Sequence, residues 1–561
     1  MKTRWLWALG MVLSVGCAAG AGTGLGEGSA GAPNPGGAGG QSAGFGGASS
    51  GGGPGLHLDA GSDAAPDATV FAGDPKSCAE AAAQKSYVGC DFWPTVTANS
   101  VWPIFDYTVV VANTQDVAAE VAIERGGKPV ASGTVPPNGL SKLHLPWVDE
   151  LKGPSVNECG NLNDTLKASV RAAGGAYHLT SSVPVTVYQF NALEYKGEGG
   201  PPGKDWSSCP AHECPGGLNG CLSYSNDASL LLPTTALTGN YRIPGMKGWA
   251  FGNVPAYFSV TGTEDGTTVK LKVSKNGAIS AGGGLAAYGA GSTLEFSLGR
   301  GEVVQVMGTP STDLSGSLLQ ASAPVQVVTG MACVYLPQNQ KACDHIEESV
   351  FPVETWGTRY FVTVPTGPNG DAPGHIVRLY GNVDGTALSY SPSKPKGAPD
   401  SLNAGDVVDL DITTTSFEVS GSHELAVASF QLGATVVDPV TVYDQQKGDP
   451  AQSFMTAVAQ YRKKYVFLAP DDYAVSYVDI VHPAGTGMTL DGQPLSVAAE
   501  PIASGFALAR VKLGPGQNGS HVLESDEPVG IQVMGYGLQT SYQYPGGSNL
   551  MLIAPPPPPI K

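Results

Sequence analysis

"AYFSVTGTEDGTTVKLKV", residues 256–273, reads as a strand, a polar turn built on Asp265-Gly266, and a second strand. The same element appears as "YTVVVANTQDVAAEVAI" (107–123), "HIVRLYGNVDGTALSY" (375–390) and "SYVDIVHPAGTGMTL" (476–490). A second element follows each copy: "VPPNGLSKLHL" (135–145), "LGRGEVVQV" (298–306), "LNAGDVVDLDI" (402–412) and "LGPGQNGSHVL" (513–523). A third closes each unit: "SSVPVTVYQF" (181–190), "ASAPVQVVTGM" (321–331), "GSHELAVASFQ" (421–431) and "SDEPVGIQVMG" (525–535). Four copies in one order predict four similar β-modules. In the closing element Val185, Val187 and Phe190 alternate with Thr186 and Gln189, which turns one face of the strand inward. Such a module is expected to fold as a sandwich. Asp265-Gly266 and Asp384-Gly385 fall at matching positions, where hairpin turn chemistry accounts for them.

Linking segments recur as well, as "SLLLPTTALTGNYRIPG" (229–245), "SVFPVETWGTRYFVTVP" (349–365) and "SFMTAVAQYRKKYVFLAP" (453–470), so the modules should pack closely rather than hang on free linkers. One insertion, "EYKGEGGPPGKDWSSCPAHECPGGLNGC" (194–221), breaks the regularity; it is rich in Gly and Pro yet holds three cysteines, the make-up of a pinned surface loop. Residues 18–77 are dominated by Gly, Ala, Ser and Pro and read as a disordered stalk. Two Gly-x-Ser-x-Gly matches, "GQSAG" (40–44) and "GASSG" (47–51), fall inside that stalk, which cannot supply the rigid strand–turn–helix a nucleophile elbow needs. The expected organisation is then 1–17 signal, 18–77 stalk, 78–228 first module with the Cys-rich insertion, 229–347 second, 348–450 third, 451–553 fourth, and 554–561 a Pro-rich tail. The fold class is all-β: a tandem, disulfide-stapled array of about four β-sandwich-like modules after a Gly-rich stalk.

The chain opens with Met1-Lys2-Thr3-Arg4 and the apolar run "WLWALGMVLSV" (5–15), the layout of an export signal and too short to span a bilayer. "LSVGC" (13–17) resembles a bacterial lipoprotein box, which implies lipidation of Cys17, with Ser14 a departure from the usual leucine. The chain is therefore expected to be exported, as an outer-membrane or cell-surface lipoprotein or, alternatively, as a secreted protein, and to touch the membrane only through acyl chains. Without Cys17, eight cysteines remain, an even number in an oxidising compartment. Short-range pairing suggests Cys78–Cys90 and Cys333–Cys343, with Cys159, Cys209, Cys214 and Cys221 pairing among themselves.

"SYVGCDFWP" (86–94) with "FDYTVVVANT" (105–114), "CLSYSNDASLLLP" (221–233), "GMACVYLPQNQKACDHIEESVFP" (330–352) and "YQYPGGSNL" (542–550) together resemble the IgGFc-binding protein N-terminal domain family, over about residues 78–555. The resemblance implies an extracellular, β-rich binding or adhesion module with no established reaction. It supplies no residue set for Fc recognition, and the bacterial-type start argues for another ligand.

Within "KACDHIEESVFP" (341–352), His345 and Glu347 lie two apart, so on a strand both point to one side, and a zinc ion would need one further ligand beside them. An oxidised Cys343 is lost as nucleophile or ligand. The preferred reading is a structural staple; His345 and Glu347, with Trp206 in the pinned loop, are kept as possible ligand contacts. The other histidines show no His-x-x-x-His pairing, and no metal, cofactor or catalytic residue is expected. A net charge of −18 without Lys/Arg clusters argues against nucleic acid. The function expected is non-enzymatic binding or adhesion at the cell surface, toward a protein or glycan. A hydrolase of extracellular polymers centred on His345 and Glu347, or a structural envelope component, is the alternative.

Overall fold

In a computed structural model the stretch quoted first is not a hairpin. The chain is described over residues 74–156, 164–209, 221–340, 343–514 and 519–561; Cys17, Cys159, Cys214 and the stalk before residue 74 lie outside these residues. Strand Ala256–Gly262 is buried along its whole length and belongs to one sheet, with Val325–Tyr335 and Val303–Met307 as its partners. Strand Thr267–Lys272, just beyond the turn, pairs with Thr293–Leu298 and Leu318–Ala321 in another. The Asp265-Gly266 turn is a corner that carries the chain from one sheet to the next. The third repeat does the same at Asp384-Gly385, with His375–Gly381 and Thr386–Ser391 in different sheets. Hairpin chemistry is thus the wrong account of these turns. Their glycines serve positive φ, +73° at Gly266 and +72° at Gly385, and the aspartates reach onward. Asp265 Oδ1 accepts from Arg300 N at 2.8 Å and Asp384 Oδ1 from Ala404 N at 2.9 Å, each pinning the next turn of its module.

The second and third repeats are sandwiches of two antiparallel sheets. In the first and fourth, one long strand serves where two did: the 15-residue Tyr177–Asn191 and the 18-residue Ser520–Gly537 each collect several partners along their length. The repeats agree down to single hydrogen bonds. Ser182, Ser322 and Ser422 each accept a backbone N–H at 2.9 Å, from Glu120, Thr268 and Ala387. In the linking segments the hydroxyls of Tyr241, Tyr360 and Tyr465 donate to the carbonyls of Val325, Leu425 and Val529 at 2.7, 2.7 and 2.5 Å. Each ring adds apolar area to a core while its one polar atom is satisfied.

The array closes on itself. Four short strands, Ala228–Leu230, Cys343–Ser349, Gln452–Phe454 and Thr540–Pro545, one at the end of each repeat, lie beside one another in that cyclic order, the last touching the first. The cores follow this closure. One joins Tyr188, Phe190 and Leu230 of the first repeat to Tyr465, Phe467, Ile531 and Tyr544 of the fourth; another joins Phe258, Val304 and Leu319 of the second to Tyr380, Ala428 and Phe430 of the third. Each such side chain contributes roughly 1.5–3 kcal/mol through burial, so the seams between modules are held as the modules are. Three disulfides are present among the described residues, Cys78–Cys90, Cys209–Cys221 and Cys333–Cys343. No described helix is long and apolar enough to cross a membrane.

Candidate functional site

His345 and Glu347 lie at the centre of the ring, both with 0% exposure. Strand Cys343–Ser349 puts them there because both of its neighbours in the ring are strands of other repeats. Glu347 Oε2 accepts from Thr97 Oγ1 at 2.8 Å and Asn191 Nδ2 at 2.7 Å, and Oε1 from Ser229 Oγ at 3.1 Å and Gln189 Nε2 at 3.2 Å. His345 Nε2 lies 3.4 Å from Glu347 Oε2. Two further acids tie the ring together: Asp344, which shares the crowded stretch with His345, and Asp227, which no local pattern marks. Asp227 accepts four backbone N–H groups, from Ala228 (2.9 Å) and Gln543 (3.2 Å) on Oδ1 and from Gln452 (2.9 Å) and Glu347 (3.1 Å) on Oδ2. One carboxyl group thereby touches all four inner strands. Asp344 takes Asn226 N at 2.5 Å and Thr540 Oγ1 at 2.8 Å. Burial pushes Asp227, Asp344, Glu348 and Asp449 well above the usual carboxylate range. This centre offers no surface to a polymer, so a hydrolase focused on His345 and Glu347 finds no substrate path.

A second cluster opens to solvent at the seam of the first and fourth repeats. Strand Tyr107–Asn113 lies between Leu140–Leu145 and Tyr177–Asn191, with Thr108 opposite His144 and Tyr107 opposite Asn191. Asp106, just before the middle strand, and Glu194, just after the long one, therefore converge on His144. The three residues each turn one ligand atom to within 4.8 Å of the others. His144 Nδ1 is 3.5 Å from Glu194 Oε1 and 3.9 Å from Asp106 Oδ2. Glu194 Oε2 accepts from Asp106 N at 3.2 Å, Thr108 Oγ1 sits 3.1 Å from His144 Nδ1, and Lys204 Nζ lies 2.6 Å from Asp106 Oδ2. Burial, helped by the Asp106 charge, pushes Glu194 up to about 7, and burial together with the Lys142 and Lys204 charges keeps His144 below its usual value. Asp471 and Asp472 of the fourth repeat face the cluster across a cleft of about 570 Å³ and hold Lys142 at 3.1 and 2.5 Å.

The inserted loop forms the near wall of this cleft. Its end is bonded by Cys209–Cys221, and Gly197 N donates to Cys221 O at 2.8 Å. Gly199 and Gly200, both at φ +83°, line the cleft; a Cβ on Gly200 would sit 3.4 Å from both Asp106 Oδ2 and Glu194 Oε1. Trp206 is partly exposed here, its Nε1 donating to Gly199 O at 3.1 Å, its ring 5.3 Å from Phe105 and under the Lys204 ammonium at 4.8 Å. Trp93 and Trp102 are buried, at 3% and 5% exposure. Asp106, His144 and Glu194 escaped the sequence reading because they sit 38 and 50 positions apart and follow no motif spacing.

A larger groove, about 750 Å³, lies where the second and third repeats meet and is lined in part by the Pro-rich tail. Gln320 Nε2 donates to Pro557 O and Pro558 O at 3.3 and 3.4 Å, its Oε1 accepts from Ile560 N at 2.6 Å, and Ile560 is 9% exposed.

Part of the chain is similar to a known protein. It is 27% identical over 338 residues to the human (Homo sapiens) IgGFc-binding protein, a stretch that covers 59% of this chain and 6% of that one, so it spans a small part of that relative's length. Among solved structures, an anti-sigma factor domain-containing protein from Clostridium clariflavum aligns with 79% of this chain and 98% of its own at 9% identity and a TM-score of 0.12, a likeness that carries no argument. The family described as IgGFc binding protein matches residues 227–535, more than half of the chain and including the inner strands of the second and third repeats, and the protein belongs to that family.

Proposed function

We propose that the protein is an extracellular binding or adhesion protein that presents its four-module ring to a protein or glycan ligand. Membership of the IgGFc-binding family is the observation that carries this reading. The disulfides support it, since such bonds persist in oxidising compartments outside the cytosol. In this reading Cys17 carries the lipid that holds the chain at the outer membrane or cell surface, and the Gly-rich residues between Cys17 and Asp74 act as a spacer of roughly 40 Å mean reach; residues 74–77, read from sequence as stalk, are instead bound to the folded body through Asp74 and Ser77. The contact surface is the cleft beside Trp206, where a partly exposed aromatic ring stands next to carboxylates and lysines on a pinned loop, the combination suited to a sugar face or a protein side chain. The relative's name speaks of antibody Fc; for this chain Fc is one protein ligand to be tried among others.

The test is an array of glycans and extracellular proteins, Fc included, probed with the full chain and with Trp206→Ala. Specific binding that the variant loses, at an unchanged melting temperature, supports the reading. A chain that binds nothing on such arrays, or binds equally well without the ring of Trp206, removes the cleft as the contact surface.

A further inference from the structure

We propose that Asp106, His144 and Glu194 form a binding site for a single zinc-class dication. This goes beyond the adhesion reading and does not depend on it. One imidazole and two carboxylates make a donor set that borderline first-row dications take readily. Two ligands that each stand about 2.1 Å from one ion can be at most about 4.2 Å apart; His144 Nδ1 lies 3.5 and 3.9 Å from its two neighbours, and all three ligand atoms lie within 4.8 Å of one another, so side-chain shifts of a few tenths of an ångström bring the set onto one ion.

A lone cluster of acids would not be enough, and the independent observation is Glu194. Its side chain is 1% exposed and turned into the cluster, while Oε1 receives no hydrogen bond among the described residues. A buried carboxylate oxygen without a donor is costly unless a cation meets it. Lys204 does not meet it: its ammonium is taken up by Asp106 Oδ2 and the face of Trp206. Gly200 adds to the case, since its bare Cα leaves open the space over the same two oxygens that a side chain there would enter.

The donors come from strand ends of the first repeat that are already fixed by pairing, so the site is preformed. Asp106 offers Oδ2, which Lys204 now holds, so the ammonium yields that oxygen as the ion enters. His144 coordinates through Nδ1 as the Nε2–H tautomer, and Thr108 Oγ1 then keeps its second bond, to Asp106 O at 3.3 Å. With three protein ligands, one position of a tetrahedral shell opens onto the cleft that Asp471 and Asp472 border.

The experiment uses the full chain, free of any histidine tag, stripped with chelator and dialysed, then titrated with zinc chloride in a calorimeter. One equivalent should bind per chain, and cobalt(II) should give a visible absorption band that zinc abolishes. Loss of a metal's outer partners costs about 10–100-fold in affinity, so His144→Ala and Glu194→Gln should each weaken binding more than about 100-fold. Lys204→Met, which frees Asp106 and leaves the ligands in place, should strengthen it severalfold and guards against variants that merely fail to fold. No stoichiometric uptake by the wild-type chain, or undiminished affinity in folded His144→Ala or Glu194→Gln protein, overturns the proposal.

Discussion

Arg378 of the third repeat reaches Asp313 of the second, with Nη2 2.5 Å from Oδ2, and its guanidinium is 3% exposed. The same group donates to Asp409, to the Gly245 carbonyl and, at 3.2 Å, to Ser315 Oγ. A buried charge with all three of its nitrogens engaged is not removable without stranding its partners. Arg378→Met is therefore expected to destabilise by about 3–5 kcal/mol, read as a lower urea midpoint. Because the pair bridges two repeats, the single transition should also broaden or split, which tryptophan fluorescence will resolve.

Asp227→Asn replaces a carboxylate oxygen by an amide that must face two backbone N–H groups. Each stranded donor costs about 1–3 kcal/mol, and whichever way the amide turns, the inner strand of at least one other repeat loses its bond. A clear drop in melting temperature is expected, with ligand binding by whatever chain remains folded unchanged. A variant as stable as the parent would show that the ring does not rest on this carboxyl group.

Asp479 is fully buried beside Arg510 and Thr366, and burial raises its carboxyl from 3.8 to about 6. A pKa raised on folding favours the native state below the unfolded value, and that advantage is lost as pH rises through the folded one. Between pH 4 and pH 7 the loss is about 2 kcal/mol. Asp227, Asp344, Glu348 and Asp449 act in the same direction. Melting temperatures at pH 4.5 and 7.5 should therefore differ by less in Asp479→Asn than in the wild type, and an equal difference would refute the assignment.

Cys333 and Cys343 close a short loop, standing 10 positions apart in sequence. Opening it by Cys333→Ala with Cys343→Ala should cost about 3 kcal/mol by loop entropy. Thiol labelling of the untreated protein should leave both positions unmodified, and the double variant should melt several degrees lower.

Much of this fold was legible in the sequence because repetition is a local signal that recurs. The strands around Val185 and Val260, the turn glycines and the short-range cysteine pairs could each be read within a few dozen residues. The corner at Asp265-Gly266 could not, because a turn between two strands looks alike whether they pair with each other or with strands of separate sheets. Closure of the array was hidden for a related reason. Asp227, Asp344, Gln452 and Thr540 are each about a hundred positions apart, and nothing near any of them announces the others. The sequence pointed to His345 and Glu347 by their crowding, but crowding on a strand buried on both sides serves cohesion. Asp106, His144 and Glu194 had the opposite problem: ordinary isolated residues, made neighbours only by register.

Closure also decides how the molecule takes a mechanical load. Arg462 of the fourth repeat grips Asp74 at 2.8 Å, and the Tyr87 hydroxyl meets the backbone N–H of Val466 at 3.1 Å. A pull applied at residue 74 therefore falls first on the last-made quarter of the body, and through it on the whole circle. Tension that would peel a linear string of modules one at a time must here break the clasp before any single quarter can unravel.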